Sequence, residues 1–182
     1  ASENVKINDT INNYIIFTDK LIYEKSKEII FTEKNSKGIS LADDIEITAN
    51  SFQYNKSLNI IVAKSKVTIF DKKRNYKLFS DFVEYFRNEG RILTKGNSKT
   101  LDLNDQTFIK ANDFEYKIPE NIIIAEKNVI IENDIENYKI KSDQITYLKN
   151  KEEIFTKGKT SALVNSEYNF HSKDVIFLKN SM

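Results

Sequence analysis

The sequence predicts an all-β protein, an elongated solenoid of stacked antiparallel strands built from a 31-residue repeat. Three observations predict it. Tyr, Phe, Ile, Val and Thr dominate, and such side chains suit a pleated, half-buried surface. With one proline and four glycines, the turns fall to clusters of Asn, Asp, Lys and Glu. Apolar and polar residues alternate with period two in IEITA (45–49) and KVTIF (66–70). Third, IKANDFEY (109–116) nearly repeats ITANSFQY (47–54), with looser copies at 16–23, 78–85 and 140–147. The closing tyrosines Tyr23, Tyr54, Tyr85, Tyr116 and Tyr147 stand 31 residues apart, and a sixth copy closes early on Phe177. Fixed self-similarity at this period marks a stacked repeat architecture. Residues 1–182 are read as one repeat domain with a partial unit at each end.

Within a unit, the first strand carries two pairs of inward candidates. Seven residues before the aromatic stand Ile47, Leu78, Ile109 and Ile140, and two before it stand Phe52, Val83, Phe114 and Ile145. Small residues stand five before it: Thr18, Ala49, Ser80, Ala111, Ser142 and Ser172. The parity between the two pairs is wrong by one residue. A strand repeats every two residues, so one must be spent to bring both pairs to the same side. Asp19, Asn50, Asp81, Asn112 and Asp143 occupy the intervening column. Asp and Asn tolerate bulge and left-handed conformations, which places a bend there. Polar turns such as EKSKE, NKSLN and KIPEN follow the aromatic. The chain then returns through an isoleucine that recurs at Ile30, Ile61, Ile92, Ile123 and Ile154.

Alternate units differ. Thr32, Thr94 and Thr156 alternate with Ala63 and Ala125, while Val67 with Ile69 recurs as Val129 with Ile131. The small columns fit either close-packed corners or space for a ligand, and the sequence leaves both open. At about 4.8 Å per strand, five two-strand units give roughly 50 Å of sheet.

Charge and composition narrow the function classes. Lys plus Arg number 28 against 27 acidic residues, so no basic field points to nucleic acid. Absence of cysteine removes disulfides and thiolate metal sites and leaves the compartment open. The apolar runs are far too short to span a bilayer as a helix. No leader is visible at Ala1, which fits a cytoplasmic chain or a mature, trimmed one. His171 is the sole histidine, which leaves no basis for a His triad or a His-rich metal site. Asp43 with Asp44 and Asp102 with Asp105 fall between strands, where turn chemistry explains them. No catalytic residue, metal ligand or cofactor is expected.

The strings ANSFQYNKSLNIIVAKSKVTI (49–69), ANDFEYKIPENIIIAEKNVII (111–131) and SDFVEYFRNEGRILTKGN (80–97) resemble the OstA-like repeat of the LptA-like lipopolysaccharide-transport family. The resemblance runs end to end. It departs at Ser65 and Lys127, where the family often has glycine, and glycine returns only at Gly96 and Gly158. Within the family, repetition this regular is more similar to the N-terminal periplasmic domain of LptD than to the free bridge LptA. The resemblance implies a folded-over β-jellyroll in the periplasm, associated with the outer membrane if a barrel follows in the same chain. Its interior would shield the acyl chains of lipid A. The groove residues would be the inward columns above together with Val67, Ile69, Val129, Ile131 and the returning Ile61, Ile92, Ile123 and Ile154. Open edges would lie at Val5 and Ile7 and at Val175 and Phe177, where neither terminus encodes a cap. Other jellyroll proteins of the pathway would add there head to tail. The competing reading is a carbohydrate-binding or adhesin-like β-solenoid, which needs an outward aromatic ladder, whereas the aromatic columns are in the inward register. A β-helix enzyme would need a non-repeating acid–base cluster, and none stands out.

Overall fold

The computed structural model describes residues 1–179. Sixteen strands alternate with tight turns, every pairing is antiparallel, and the described helices are single 3₁₀ turns. The N-terminal part holds β1 (Ser2–Asp9), β2 (Tyr14–Glu24), β3 (Ile29–Glu33), β4 (Ser36–Ser40), β5 (Ile45–Ala49) and β6 (Ser51–Asn55). Long strands make the middle: β7 (Ile60–Asp71), β8 (Tyr76–Phe86), β9 (Arg91–Asp102), β10 (Phe108–Lys117), β11 (Ile122–Asn133) and β12 (Tyr138–Leu148). The last four are β13 (Glu153–Lys157), β14 (Lys159–Val164), β15 (Tyr168–Lys173) and β16 (Ile176–Leu178).

Each long strand bends near its midpoint. The register slips between Phe79 and Phe82, between Lys110 and Asp113, and between Lys64 and Val67. Along β8, Leu78, Ser80, Val83 and Tyr85 are buried while Asp81 and Phe82 both face out. That pair of outward residues is the parity correction expected at the Asp/Asn column. In the returning strands the bend uses left-handed backbone at Ser65–Lys66 and Lys127–Asn128, with φ from 55° to 65°. Left-handed geometry costs a non-glycine L-residue roughly 1–2 kcal/mol, and Gly96, at φ 78°, carries it without that cost. Ser65 and Lys127, the departures from the repeat, are therefore strained versions of one corner.

Bending folds the continuous sheet into two halves that face each other. One half holds the segments around Tyr54, Tyr85, Tyr116 and Tyr147, and the other those around Ile45, Ile69, Leu78 and Ile131. The core between them includes Ile47, Ile61, Ile92, Ile123 and Ile154, each essentially excluded from water. Burying one such side chain contributes roughly 2 kcal/mol. Tyr23 is the exception among the closing tyrosines at 44% exposed, because it points inward at the N-terminal end, where no further strand covers it.

Two rows of turns end the halves. After each closing aromatic, the chain turns through left-handed Glu28, Asn59, Gly90, Asn121 or Glu152. At the other row it turns through Asn13, Asp44, Asn75 and Asn137. Successive turns within a row are linked by backbone bonds, such as Ile118 N–H to Gly90 O at 2.8 Å and Leu103 N–H to Asn75 O at 3.0 Å. Because the strands fold over, these rows meet along the edge opposite the bends.

Candidate functional site

The site has three parts: a packed interior, a polar seam where the turn rows meet, and the two ends. All sixteen expected groove positions face inward, and each is at most 3% exposed: Ile47, Phe52, Ile61, Val67, Ile69, Leu78, Val83, Ile92, Ile109, Phe114, Ile123, Val129, Ile131, Ile140, Ile145 and Ile154. They form one contiguous apolar cluster with the buried tyrosines. Tyr14 stacks at a tilt on Tyr54 with ring centroids 5.3 Å apart, and Tyr76 on Tyr116 at 5.4 Å.

The small columns resolve as close-packed corners. In alternate units they form hydroxyl clusters at the bend. The Ser80 hydroxyl lies 3.1–3.2 Å from the carbonyls of Phe82, Lys95 and Gly96, and 3.1 Å from Ser98 Oγ. Thr94 Oγ1 accepts the Phe114 N–H at 3.0 Å, as Thr32 accepts that of Phe52 at 2.8 Å. Backbone groups freed by the bend thus find partners inside, as buried polar groups must. Ala49, Ala63, Ala111 and Ala125 fill the other units.

Sequence reading missed the seam. Asp9, Ser40, Asp71, Asp102 and Asn133 recur every 31 residues at the head of one turn row, and all are buried. Their oxygens cap the turns: Asp71 Oδ1 accepts the Arg74 N–H at 3.0 Å, and Asn133 Oδ1 accepts those of Ile135 and Glu136 at 2.9 Å. Facing them across the seam stand Lys56, Arg87, Ile118, Lys149 and Lys179. Lys56 lies 3.5 Å from Asp9, Lys149 2.7 Å from Asp102 and Lys179 2.6 Å from Asp105. Arg87 donates to Asn12 O and to Ser40 Oγ, both at 3.0 Å. At Ile118 no cation is present; Asp71 pairs instead with Arg74, and accepts from the Tyr116 hydroxyl at 3.1 Å. Tyr85 donates likewise to Asp43 at 3.0 Å. The columns were present in the sequence, but turn propensity explained each aspartate before its partner across the fold was known.

Burial sets the electrostatics. Desolvation would raise the Asp9 carboxyl, but bonds from Asn12 and the Lys56 ammonium outweigh it and hold the group below its usual range. Desolvation would lower the Lys179 ammonium, and its bond to Asp105 reverses the sign. Seven tyrosines are pushed upward, chiefly by burial: Tyr54 and Tyr138 to about 12, and Tyr14, Tyr76, Tyr85, Tyr116 and Tyr147 likewise well above the ordinary phenol value.

The ends differ from the middle. At the C-terminal end a cavity of ≈ 810 Å³ opens between the half-sheets, lined by Ala162, Val164, Phe170, Val175, Ile176, Phe177 and Leu178 among others. Among the described residues β15 pairs only with β14, β16 only with β13, and β1 only with β2. Val5, Ile7 and Phe177 are partly buried against the core. Val175 lies just before β16 and is tied to Thr156 through both its N–H and its carbonyl. Each therefore stands at or beside a strand with one open side.

The expected inward register of aromatics needs correcting. It describes the tyrosine columns, yet Phe17, Phe70, Phe79, Phe82 and Phe86 point outward. Phe17, Phe70 and Phe79 alternate with buried neighbours in their strands, and Phe82 is the spent residue at its bend. None pairs with another aromatic: Phe79 faces Thr68 and Lys99, and Phe82 faces Lys64 and Lys95. They form no ladder. His171 is exposed on β15, and no group of three or more metal-ligating side chains occurs among the described residues. No described helix is long and apolar enough to cross a membrane.

These features define the class: an all-β, LptA-like jellyroll of antiparallel strands folded over an apolar interior. The chain is similar to a particular solved structure, the crystal structure of LptH, the LptA homologous periplasmic component of the conserved lipopolysaccharide transport device from Pseudomonas aeruginosa. The TM-score is 0.59 at 11% identity, over 66% of this chain and 87% of that one. No family model matches the chain, and no curated protein matches it in sequence.

Proposed function

We propose that the protein is a non-catalytic lipid-transport module that shields the acyl chains of lipopolysaccharide as they cross the periplasm. The observation that carries this reading is the continuous apolar interior of an LptA-like fold that opens at one end into a large apolar cavity. A photo-crosslinking residue at position 61, 92 or 123 is expected to capture lipopolysaccharide in cells. Capture only from outward positions 64 and 126 would point to a surface binder and sink the reading.

Its partners under this reading are other jellyrolls, joined head to tail through the open edges at Val5 and Ile7 and at Val175 and Phe177, with a membrane barrel following where the module is the N-terminal domain of a translocon. Unpaired edge groups are templates for strand addition. Proline at position 6 or 177 removes a backbone donor from an edge and should abolish co-purification with a second jellyroll while the circular dichroism of the sheet persists. Normal co-purification of both variants would refute edge assembly.

A further inference from the structure

The interior is sealed along its length, which raises the question of how anything enters it. On the bend side, every strand crosses from one half to the other as continuous chain or through adjoining paired strands. On the opposite side the closure is different in kind. Among the described residues no backbone–backbone hydrogen bond joins the two turn rows. Side chains alone hold them: Lys56 to Asp9, Arg87 to Asn12 and Ser40, Tyr116 to Asp71, Lys149 to Asp102 and Lys179 to Asp105.

The closed seam is also imperfectly satisfied. At the seam and beneath it Tyr14 Oη, Tyr76 Oη, Thr100 Oγ1, Arg87 Nε and Asn121 Oδ1 are buried without partners. Tyr14 lies under the Arg87 guanidinium at 4.8 Å, and Tyr76 under the Lys149 ammonium at 4.1 Å. A buried group left unpaired costs about 1–3 kcal/mol, and native interiors hold few of them. Arg87 Nε lies in the seam itself, and the hydroxyls of Tyr14 and Tyr76 reach into the interior below it, toward Gly38 and Thr100. One side of the seam is a file of cations, Arg87, Lys149 and Lys179 nearly excluded from water and Lys56 partly exposed, set over a layer of tyrosine rings.

We infer that the seam is a lateral gate: it parts along its length to admit the acyl chains of an anionic amphiphile, whose headgroup then replaces the seam carboxylates opposite Lys56, Arg87, Lys149 and Lys179. The inference rests on the lipid-shielding reading and adds the route and the headgroup charge. Parting the seam breaks no backbone bond, lets water or headgroup oxygens reach the unpaired polar atoms, and exposes the tyrosine layer and then the isoleucine columns.

Because the chain contains no cysteine, the gate can be locked chemically. The double variants D102C/K149C and D9C/K56C, each bridged by a short bis-maleimide, are loaded with cis-parinaric acid, an anionic single-chain probe that fluoresces in apolar surroundings. A bridged E132C/K139C pair on the outer face is the control; these two residues are neighbours across β11 and β12. Bridging either seam pair should slow uptake on the order of tenfold or more relative to the same double variant left unbridged, as expected when an opening step is removed. Uptake by bridged seam variants at the rate of the bridged control overturns the gate and leaves the lipid reading standing. Absence of uptake by the unmodified protein overturns both. Two rungs of different burial are used so that a folding defect at the buried Asp102–Lys149 pair leaves the partly exposed Lys56 rung to decide.

Discussion

Raising the pH above 10 is expected to unfold the protein in one steep transition. Seven of the nine tyrosines are held protonated by burial, namely Tyr14, Tyr54, Tyr76, Tyr85, Tyr116, Tyr138 and Tyr147. Below the ordinary phenol value of about 10, both folded and unfolded chains keep these protons, and pH has no leverage through them. Above it the unfolded chain releases them while the folded chain cannot. The native state then binds more protons than the unfolded one, so stability falls as pH rises. Each group contributes about 1.4 kcal/mol per pH unit, so seven together approach 10 kcal/mol for each unit, which is the whole stability of a typical domain. The window opens near 10 and reaches toward 12, where Tyr54 and Tyr138 would ionise in place. Lys179 acts in the same direction, since its raised value means its stabilisation is complete below the ordinary lysine range and is lost above it. Tyrosinate absorbance and the β-sheet dichroism should therefore change together on an alkaline titration. Ionisation of most tyrosines with the sheet signal intact would show that they are not buried as described.

That tyrosine layer separates what the sequence makes legible from what it does not. The repeat, the inward columns and the bend are readable because each is a local rule of strand geometry applied at a fixed interval. A parity error of one residue between Ile47 and Phe52 can only be repaired at Asn50 or its neighbours, and the fold repairs it there. The seam is not local. Lys149 and Asp102 stand 47 residues apart, as do Lys56 and Asp9, and nothing in either segment alone requires the other. Aspartate at the head of a turn is fully explained by capping the next amides, so no residue was left over to signal a partner. The alternation of threonine with alanine was visible as a pattern, yet its meaning depended on knowing that Thr94, Ser98 and Ser80 converge on one corner. The outward phenylalanines follow from the same register: Phe17, Phe70 and Phe79 alternate with inward residues, and Phe82 takes the spent position at its bend.

Register also makes the sharpest test of the interior, because neighbouring residues on β9 should respond in opposite ways to the same substitution. Ile92 is fully buried between Tyr85 and Tyr116, its cross-strand partners. A lysine there would place an ammonium where no carboxylate reaches it, at a cost of several kcal/mol after any local relaxation. Ile92→Lys is therefore expected to leave most of the protein unfolded, or to expel the lysine by tearing the two halves apart. Leu93, the next residue, faces outward. Its cross-strand neighbours are Glu84 on β8 and Glu115 on β10, two carboxylates with no cation between them at that position. Leu93→Lys would supply one, exchanging half-buried apolar area for two favourable cross-strand pairs, each worth roughly 0.2–1 kcal/mol. Its net effect should lie within about 0.5 kcal/mol of zero. Urea midpoints of the two variants measure the difference directly, provided that the slope of the transition is unchanged. Equal destabilisation by both would mean that the strand has no inner and outer face, and the lipid path, the tyrosine layer and the seam would all lose their footing together.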